Sequence, residues 1–285
     1  MNIALIDGDE IAYKGAFCSS VSYFIAKDGD RVITKGKNKS EVIENIGNND
    51  SDEIILEQKS DITNLNAGYK AIDSILSTIL YQTNSKEYII YLTGENNFRK
   101  ELATILPYKA HRSTKPASLS KMEEYLKYKK AITIDYLEAD DCISAASFEN
   151  KNSVICSQDK DLDTVPSLRY NPSSNQIYEV SEQDALYNFY LQLIIGDKTD
   201  NIPSAYGCGK VYAAKVLKEC YEKNLSEYEY YKVAKEAILN KLNQGKTSWY
   251  NPLMDIDEVL YEIGNLLYMH RTFDKEERWS VEKKE

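Results

Sequence analysis

The sequence predicts an α/β protein with a mostly parallel central sheet, helices on both faces, and a helical region at the carboxyl end. Three observations lead there. Short apolar, β-branched runs alternate with helical patterns through the first 180 residues. Helical stretches separate the strand-like runs up to residue 157, as a mostly parallel sheet requires, and 168–180 looks like a further strand or hairpin. After Val180 the pattern becomes helical throughout.

Taken in order, "NIALID" (2–7), "EYIIYLT" (87–93), "AITIDY" (131–136) and "SVICS" (153–157) read as buried strands, and 168–180 as a further strand or hairpin. Helices are expected at about 9–20, 62–83, 118–130 and 138–149, and then at about 181–195, 208–223, 226–243 and 255–270. Residues 28–60 break the alternation with glycines and a polar "GNNDSDE", and are expected to form a hairpin or an insert on the surface. The simplest division is an α/β domain over 1–180 and a helical region over 181–285.

Composition narrows the chemistry. With 42% hydrophobic and 28% charged residues the chain belongs to the soluble globular class. No apolar run approaches the roughly 18 residues of a membrane span, and the amino terminus lacks the features of a secretory signal. Five scattered cysteines, never spaced as CxxC, argue for a reducing compartment and against a structural zinc site. Two histidines leave little room for histidine bases or ligands, whereas carboxylates abound.

The carboxylates recur at the ends of the expected strands. Asp7 follows "NIALI", Glu95 follows "YIIYLTG", Glu138, Asp140 and Asp141 follow "AITIDYL", and Asp159, Asp161 and Asp163 follow "SVICSQ". In an open α/β sheet that edge is where ligands bind. Asp197 and Asp200 add to the set from the helical region. Like charges so close raise one another's pKa, and divalent cations relieve the repulsion. Oxygen donors without histidine or cysteine suit two Mg²⁺ ions, with Mn²⁺ as a substitute, and a pair of such ions suits phosphodiester hydrolysis. Asp9 and Asp163 are expected to serve only as caps or turn residues. "DKDLDT" is no calcium loop, because Thr164 and Tyr170 stand where Gly and Glu are required.

The net charge of −10 speaks against general nucleic-acid binding, yet Pro107–Lys130 holds seven Lys or Arg against two Glu. Lys109 and Arg112, three apart, are placed to steady an attacked phosphate and to anchor its neighbour, and Lys115 extends the basic segment. "YGCGKVYAAKVL" (206–217) reads as a tight turn opening a helix, where Gly207 and Gly209 let the backbone approach a phosphate beside Lys210. It is not a Walker A loop.

Together "LIDGDEIAY", "YKAHR", "LEADDCIS", "CSQDKDLDTV" and "GDKTDNIPSAYGCGKVYAAKVL" resemble, in order, the motifs of the 5′-nuclease superfamily: flap endonucleases, bacteriophage 5′→3′ exonucleases and the 5′-nuclease domain of DNA polymerase I. The phage exonucleases are the most similar. The resemblance implies a PIN-like fold with a helical gateway near 107–130 and a helix–three-turn–helix at about 190–220. It implies that Asp7, Glu138 and Asp140 hold one metal, and that Asp159, Asp161, Asp197 and Asp200 hold another, with Asp141 between them. It places Lys109 and Arg112 on the reacting phosphate and a K⁺ in the Gly207–Gly209 turn. The implied substrates are DNA with single-stranded 5′ ends, flaps or duplex termini, and RNA–DNA hybrid during primer removal in replication. The setting is the cytoplasm of a bacterial or phage-infected cell, with neither membrane nor small-molecule substrate. Where the family carries Asp after its second strand this chain has Gly94 and Glu95, so either Glu95 reaches the metal or water takes the place. The last 65 residues match no motif. The alternatives are a PIN-type single-strand ribonuclease and a non-catalytic, structure-specific DNA-binding protein.

Overall fold

The computed structural model describes residues 2–46, 54–110 and 114–281. In chain order the elements begin with β1 (Ile3–Asp7), α1 (Gly8–Ser19), β2 (Ser20–Asp28), β3 (Arg31–Gly36), α2 (Lys39–Ile46) and β4 (Ile54–Ile62). There follow α3 (Leu65–Thr83), β5 (Glu87–Thr93), α4 (Phe98–Leu102), α5 (Leu119–Tyr128), β6 (Ile132–Ile134), α6 (Ala139–Glu149) and β7 (Ser153–Cys156). The last are β8 (Ser167–Asn171), β9 (Gln176–Val180), α7 (Glu182–Ile195), α8 (Lys210–Glu222), α9 (Glu227–Leu242) and α10 (Ile256–Leu267).

Two compact units interleave along the chain. One comprises residues 1–7, 79–112 and 132–285, and contains a six-stranded sheet in the order β6-β5-β1-β7-β8-β9. All pairings are parallel except the antiparallel β8–β9 hairpin. β1 pairs with β5 on one side (Asp7 opposite Tyr91) and β7 on the other (Ile6 opposite Cys156), so the carboxyl ends of these strands lie on one edge. β1 and β7 are almost wholly buried, which is why Ile3–Ile6 and Val154–Cys156 form continuous apolar runs and do not alternate. α6 packs on β1, β5 and β7 through Ala139, Cys142, Ile143 and Ala146. These small side chains let the helix lie close to the sheet.

The sequence boundary at 180 is not a boundary in the structure, because α7–α10 belong to the same unit as the sheet. The reason is a shared core: Leu193, Ile194, Tyr230 and Leu260 cluster with Tyr108, and Leu102 and Ile105 pack against them. The other unit comprises residues 8–78 and 113–131. In it α1 packs on α5, with Ile72 and Met122 closing around Gly15. The irregular stretch 28–60 belongs to a small antiparallel sheet, β3-β2-β4, and its residues 47–53 lie outside the described ones. The basic segment 107–130 is likewise divided between the units at Arg112. Among the described residues no helix is long and apolar enough to cross a membrane.

Candidate metal centre and nucleic-acid interface

The sheet edge delivers the acids through four local devices. Asp7 is the last residue of β1, nine-tenths buried, and accepts from Ser157 Oγ at 3.2 Å just beyond β7. Glu138 precedes the first turn of α6, after Tyr136 takes up a positive φ of 72° and turns the chain. Asp159 caps the 3₁₀ turn Lys160–Thr164, its Oδ1 accepting from Asp161 N at 2.8 Å. Gly196, with φ 63°, ends α7 where a Cβ would stand 2.6 Å from Ile202 O, and the tight loop that follows carries Asp197 and Asp200.

These segments surround a cavity of about 160 Å³ lined by Glu138, Asp140, Asp159, Asp161, Asp197 and Asp200, with Tyr108, Lys109 and Arg99 opposite. Asp7 adjoins it through its repulsion of Asp140. Lys109 Nζ bonds to Glu138 and lies 3.5 Å from Asp200 Oδ2. Its own backbone is in the left-handed region (φ 57°), where its N–H donates to Asp200 O at 2.9 Å. A lysine held in that conformation at a charged cleft is the kind of local strain that functional sites store. Tyr108 Oη stands 3.0 Å from Glu138 Oε2 and 3.1 Å from Asp200 Oδ2.

The electrostatics divide the acids into two kinds. Burial pushes the Glu138 carboxyl up, but Lys109 and Arg99 more than offset it and the net shift is downward. Asp140 is driven well above the carboxylate range by burial, then by Asp7, Asp159 and Glu138. Asp161 is pushed up to about 7 by burial, then by Asp159 and Asp197, although Gln192 Nε2 donates to it at 2.8 Å. Asp140 Oδ1 is buried with no hydrogen-bond partner.

Among the described residues no three Asp, Glu, His or Cys side chains close around one point as a finished metal site. The donor set nonetheless fits hard divalent cations: it is all oxygen, crowded, and contains an orphaned buried carboxylate oxygen.

Three expectations from the sequence are altered. Asp141 does not face the cavity. It is fully buried, its oxygens engaged by Arg99 at 2.5 and 2.8 Å, and the guanidinium holds its carboxyl low against the cost of burial. Glu95 is exposed and does not line the cavity. Position 94 cannot carry a ligand either, because a Cβ there would stand 2.0 Å from Ile134 O. Asp163 does more than cap a turn: it pairs with the buried Arg169 at 3.1 Å and accepts from Tyr178 Oη at 2.8 Å. Arg112 lies outside the described residues, and Lys115 is exposed in the unit that does not contain the cavity.

The residues that sequence reasoning passed over are Arg99 and Arg169. The signal was an arginine set directly beside large apolar or aromatic residues, Phe98 in "NFRKEL" and Leu168 and Tyr170 in "SLRYN".

A second, larger cleft of about 740 Å³ surrounds the glycine turn. Gly207 has φ 85°, and both Gly209 and Lys210 are exposed at the start of α8. Lys160, Lys198 and Lys246 line the same cleft. The loop bearing Lys246 is fastened by Trp249 Nε1 to Ser204 O and by Tyr206 N to Thr247 Oγ1, each 3.0 Å.

No family model matches the chain, and no curated protein matches it. Solved structures do. The D15 protein of T5, co-crystallised with metal ions, aligns over 94% of this chain and 89% of its own, with a TM-score of 0.54 and 16% identity. A bacteriophage T5 flap endonuclease in a pseudo-enzyme–product complex with DNA and metal ions aligns over 94% and 99%, with a TM-score of 0.48 and 16% identity. T5 5′-exonuclease with bound zinc aligns over 94% and 100%, again at 0.48 and 16%. The class defined by this architecture is an α/β fold with a mostly parallel six-stranded sheet and a carboxyl-terminal helical region. Within that class, the D15 protein of T5 is a particular protein whose fold this chain shares over nearly its whole length.

Proposed function

We propose that this chain is a divalent-metal-dependent 5′-nuclease that hydrolyses phosphodiesters from the 5′ ends of DNA. One observation carries the reading. Six carboxylates, Glu138, Asp140, Asp159, Asp161, Asp197 and Asp200, line a cavity that also holds Lys109 and a buried, partnerless carboxylate oxygen, and Asp7 at the end of β1 is near enough to push the Asp140 carboxyl up. Such a group is stable only with added positive charge. The metal ions bound by the folded relatives agree with this, and the DNA held by one of them agrees with the substrate class.

Asp7, Glu138 and Asp140 would hold one ion, and Asp159, Asp161, Asp197 and Asp200 a second; Mg²⁺ suits both and Mn²⁺ can replace it. Ions held there would supply Lewis-acid activation of an attacking water and of the leaving oxygen. The protein's own part begins with Lys109, which in this structure neutralises Glu138 and Asp200. A phosphate entering the cavity offers its ammonium a new partner, and the growing negative charge of the transition state strengthens that contact. Tyr108, whose phenol is driven well above its ordinary range by burial and Glu138, stays protonated and keeps a donor available to the acids. Arg112 is proposed to hold the adjacent phosphate, with Lys115 continuing the path of the strand. Gly207, Gly209 and Lys210 receive the duplex backbone, with a K⁺ in the turn. Flap cleavage and hydrolysis of the RNA strand of a hybrid belong to the same reading.

The test is to incubate the protein with 5′-labelled duplex, flap and RNA–DNA hybrid substrates, with Mg²⁺ and with excess chelator. Short 5′ products that require Mg²⁺ are expected, and Asp159→Ala should lower the rate by at least a hundredfold. Undiminished cleavage in chelator, or in Asp159→Ala, rejects the metal mechanism.

A further inference from the structure

The largest fully buried side chains in the described residues are two arginines, Arg99 and Arg169. Burying a guanidinium is costly unless charge and hydrogen bonds compensate. Each is met by an acid and by two backbone carbonyls, but Arg99 is hydrogen-bonded to Asp141 through both terminal nitrogens, whereas the Arg169 Nη1–Asp163 contact is an ion pair without a hydrogen bond. Arg99 pairs with Asp141, the last acid of the run 138–141, lies 3.4 Å from Glu138, and donates to two backbone carbonyls, Leu266 O at 3.0 Å and Tyr268 O at 2.7 Å. Arg169 pairs with Asp163, the last acid of the run 159–163, and donates to the carbonyls of Ser157 at 3.2 Å and Asp159 at 2.8 Å. In both cases an arginine takes up the final acid of a run and grips backbone beside the earlier acids that line the cavity.

The grips have consequences for those earlier acids. Asp141 Oδ2 also accepts from Glu138 N at 3.2 Å, so the Arg99 pair fixes the backbone at the residue that bears the Glu138 carboxylate. Leu266, Leu267 and Met269 line the same cavity, and Arg99 holds that stretch from both sides. His270 N donates to Asp141 Oδ1 at 3.3 Å and closes the strap. The carboxyl-terminal residues, which match no motif, thereby form a wall of the acid site. Arg169 does the equivalent for the loop that presents Asp159 and Asp161, pinning the carbonyl of Asp159 itself.

We propose that Arg99 and Arg169 are positioning residues for the metal-binding acids, and that Asp141 and Asp163 serve as their counter-ions and not as metal ligands. The inference rests on the nuclease function proposed above. Partners that orient metal ligands typically alter affinity or activity by ten- to a hundredfold when removed.

The experiment uses the full chain and the variants Arg99→Lys, Arg169→Lys, Asp141→Asn and Asp163→Asn. Mn²⁺ binding is followed by calorimetry without DNA, kcat and KM are measured on a 5′-labelled flap, and folding is checked by circular dichroism. Folded variants are expected to bind Mn²⁺ about tenfold more weakly and to lose kcat with KM changed less than about threefold. A purely structural role would lower the thermal midpoint while leaving Mn²⁺ affinity and kcat intact at 25 °C, and that result overturns the proposal. So does tighter Mn²⁺ binding in Arg99→Lys, which would mean that Asp141, once released, is a ligand. If a lysine variant fails to fold, the asparagine variants, which keep the side-chain shape, decide by the same criterion. A wild-type protein that neither binds Mn²⁺ nor cleaves DNA rejects the nuclease reading and this inference with it. Active, metal-binding wild type beside unaltered variants rejects the inference alone.

Discussion

Asp161 and Asp140 carry the most unusual environment among the acids. Asp161 titrates near 7 because it is buried and faces Asp159 and Asp197, and Asp140 is shifted in the same direction by burial, Asp7 and Asp159. The linkage has a definite sign. A carboxyl whose folded pKa is raised binds a proton in the folded state that the unfolded chain has already released. Stability therefore falls as pH rises from the ordinary carboxylate range, near 4, to about 7. For Asp161 the loss is a few kcal/mol at most, since one pKa unit is about 1.4 kcal/mol. A divalent cation replaces the proton and removes the penalty. Calorimetric unfolding should show Mg²⁺ raising the melting temperature strongly at pH 8 and hardly at all at pH 5. An equal Mg²⁺ effect at both values would mean that these acids do not bind the ion. In the sequence these residues were recognisable as a set, because acids repeatedly followed apolar runs. Their individual roles were not: Asp140 and Asp141 are adjacent and identical, yet one meets the cavity and the other meets Arg99.

At the level of elements, the strands of the six-stranded sheet and helices α1, α3 and α5–α10 were legible, because burial on both faces leaves a continuous apolar run and α6 needs small residues against the sheet, whereas β2, β3, β4, α2 and α4 were not. What periodicity could not show was contact between distant segments. The union of α7–α10 with the sheet rests on Tyr108 entering their core, and the β3-β2-β4 sheet hides in polar, half-exposed strands. The departure at Gly94 also has an element-level cause. The ends of β5 and β6 meet so closely that a Cβ at 94 would stand 2.0 Å from Ile134 O and 2.7 Å from its carbonyl carbon. Gly94 N additionally donates to Leu137 O at 2.9 Å. Backbone cannot yield as a flexible side chain does, so Gly94→Ala must pry the strand ends apart. A destabilisation of about 3 kcal/mol is expected, read as a lower urea midpoint. An unchanged midpoint would show that the edge opens freely. By the same argument Gly94→Asp cannot restore a carboxylate to the cavity.

For the molecule as a whole, the proposed function raises the question of how a chain of net charge −10 would hold a polyanion. Long-range attraction is not available to it, since charges farther apart than roughly 10 Å are screened at physiological salt. Binding must come from local contacts, and within the unit that contains the sheet the cleft at the glycine turn concentrates them. Lys160, Lys198, Lys210 and Lys246 line it, with Thr199, Thr247 and Ser248 as neutral donors and Tyr206 62% exposed as a stacking face. Among the described residues no acid lines this cleft except Asp197, which Lys160 approaches to 4.0 Å. Each lysine that neutralises a phosphate releases about one counterion, so the logarithm of affinity falls linearly with the logarithm of salt. Duplex binding, measured by fluorescence anisotropy in chelator to prevent cleavage, should therefore weaken steeply between 50 and 200 mM salt. Lys198→Ala and Lys246→Ala should each reduce the slope by about 1, equally for unrelated DNA sequences. If both variants keep the wild-type slope, the duplex does not lie in this cleft. A change confined to one DNA sequence would instead mean that the lysines read bases, which lysines on a groove beside a glycine turn are not arranged to do.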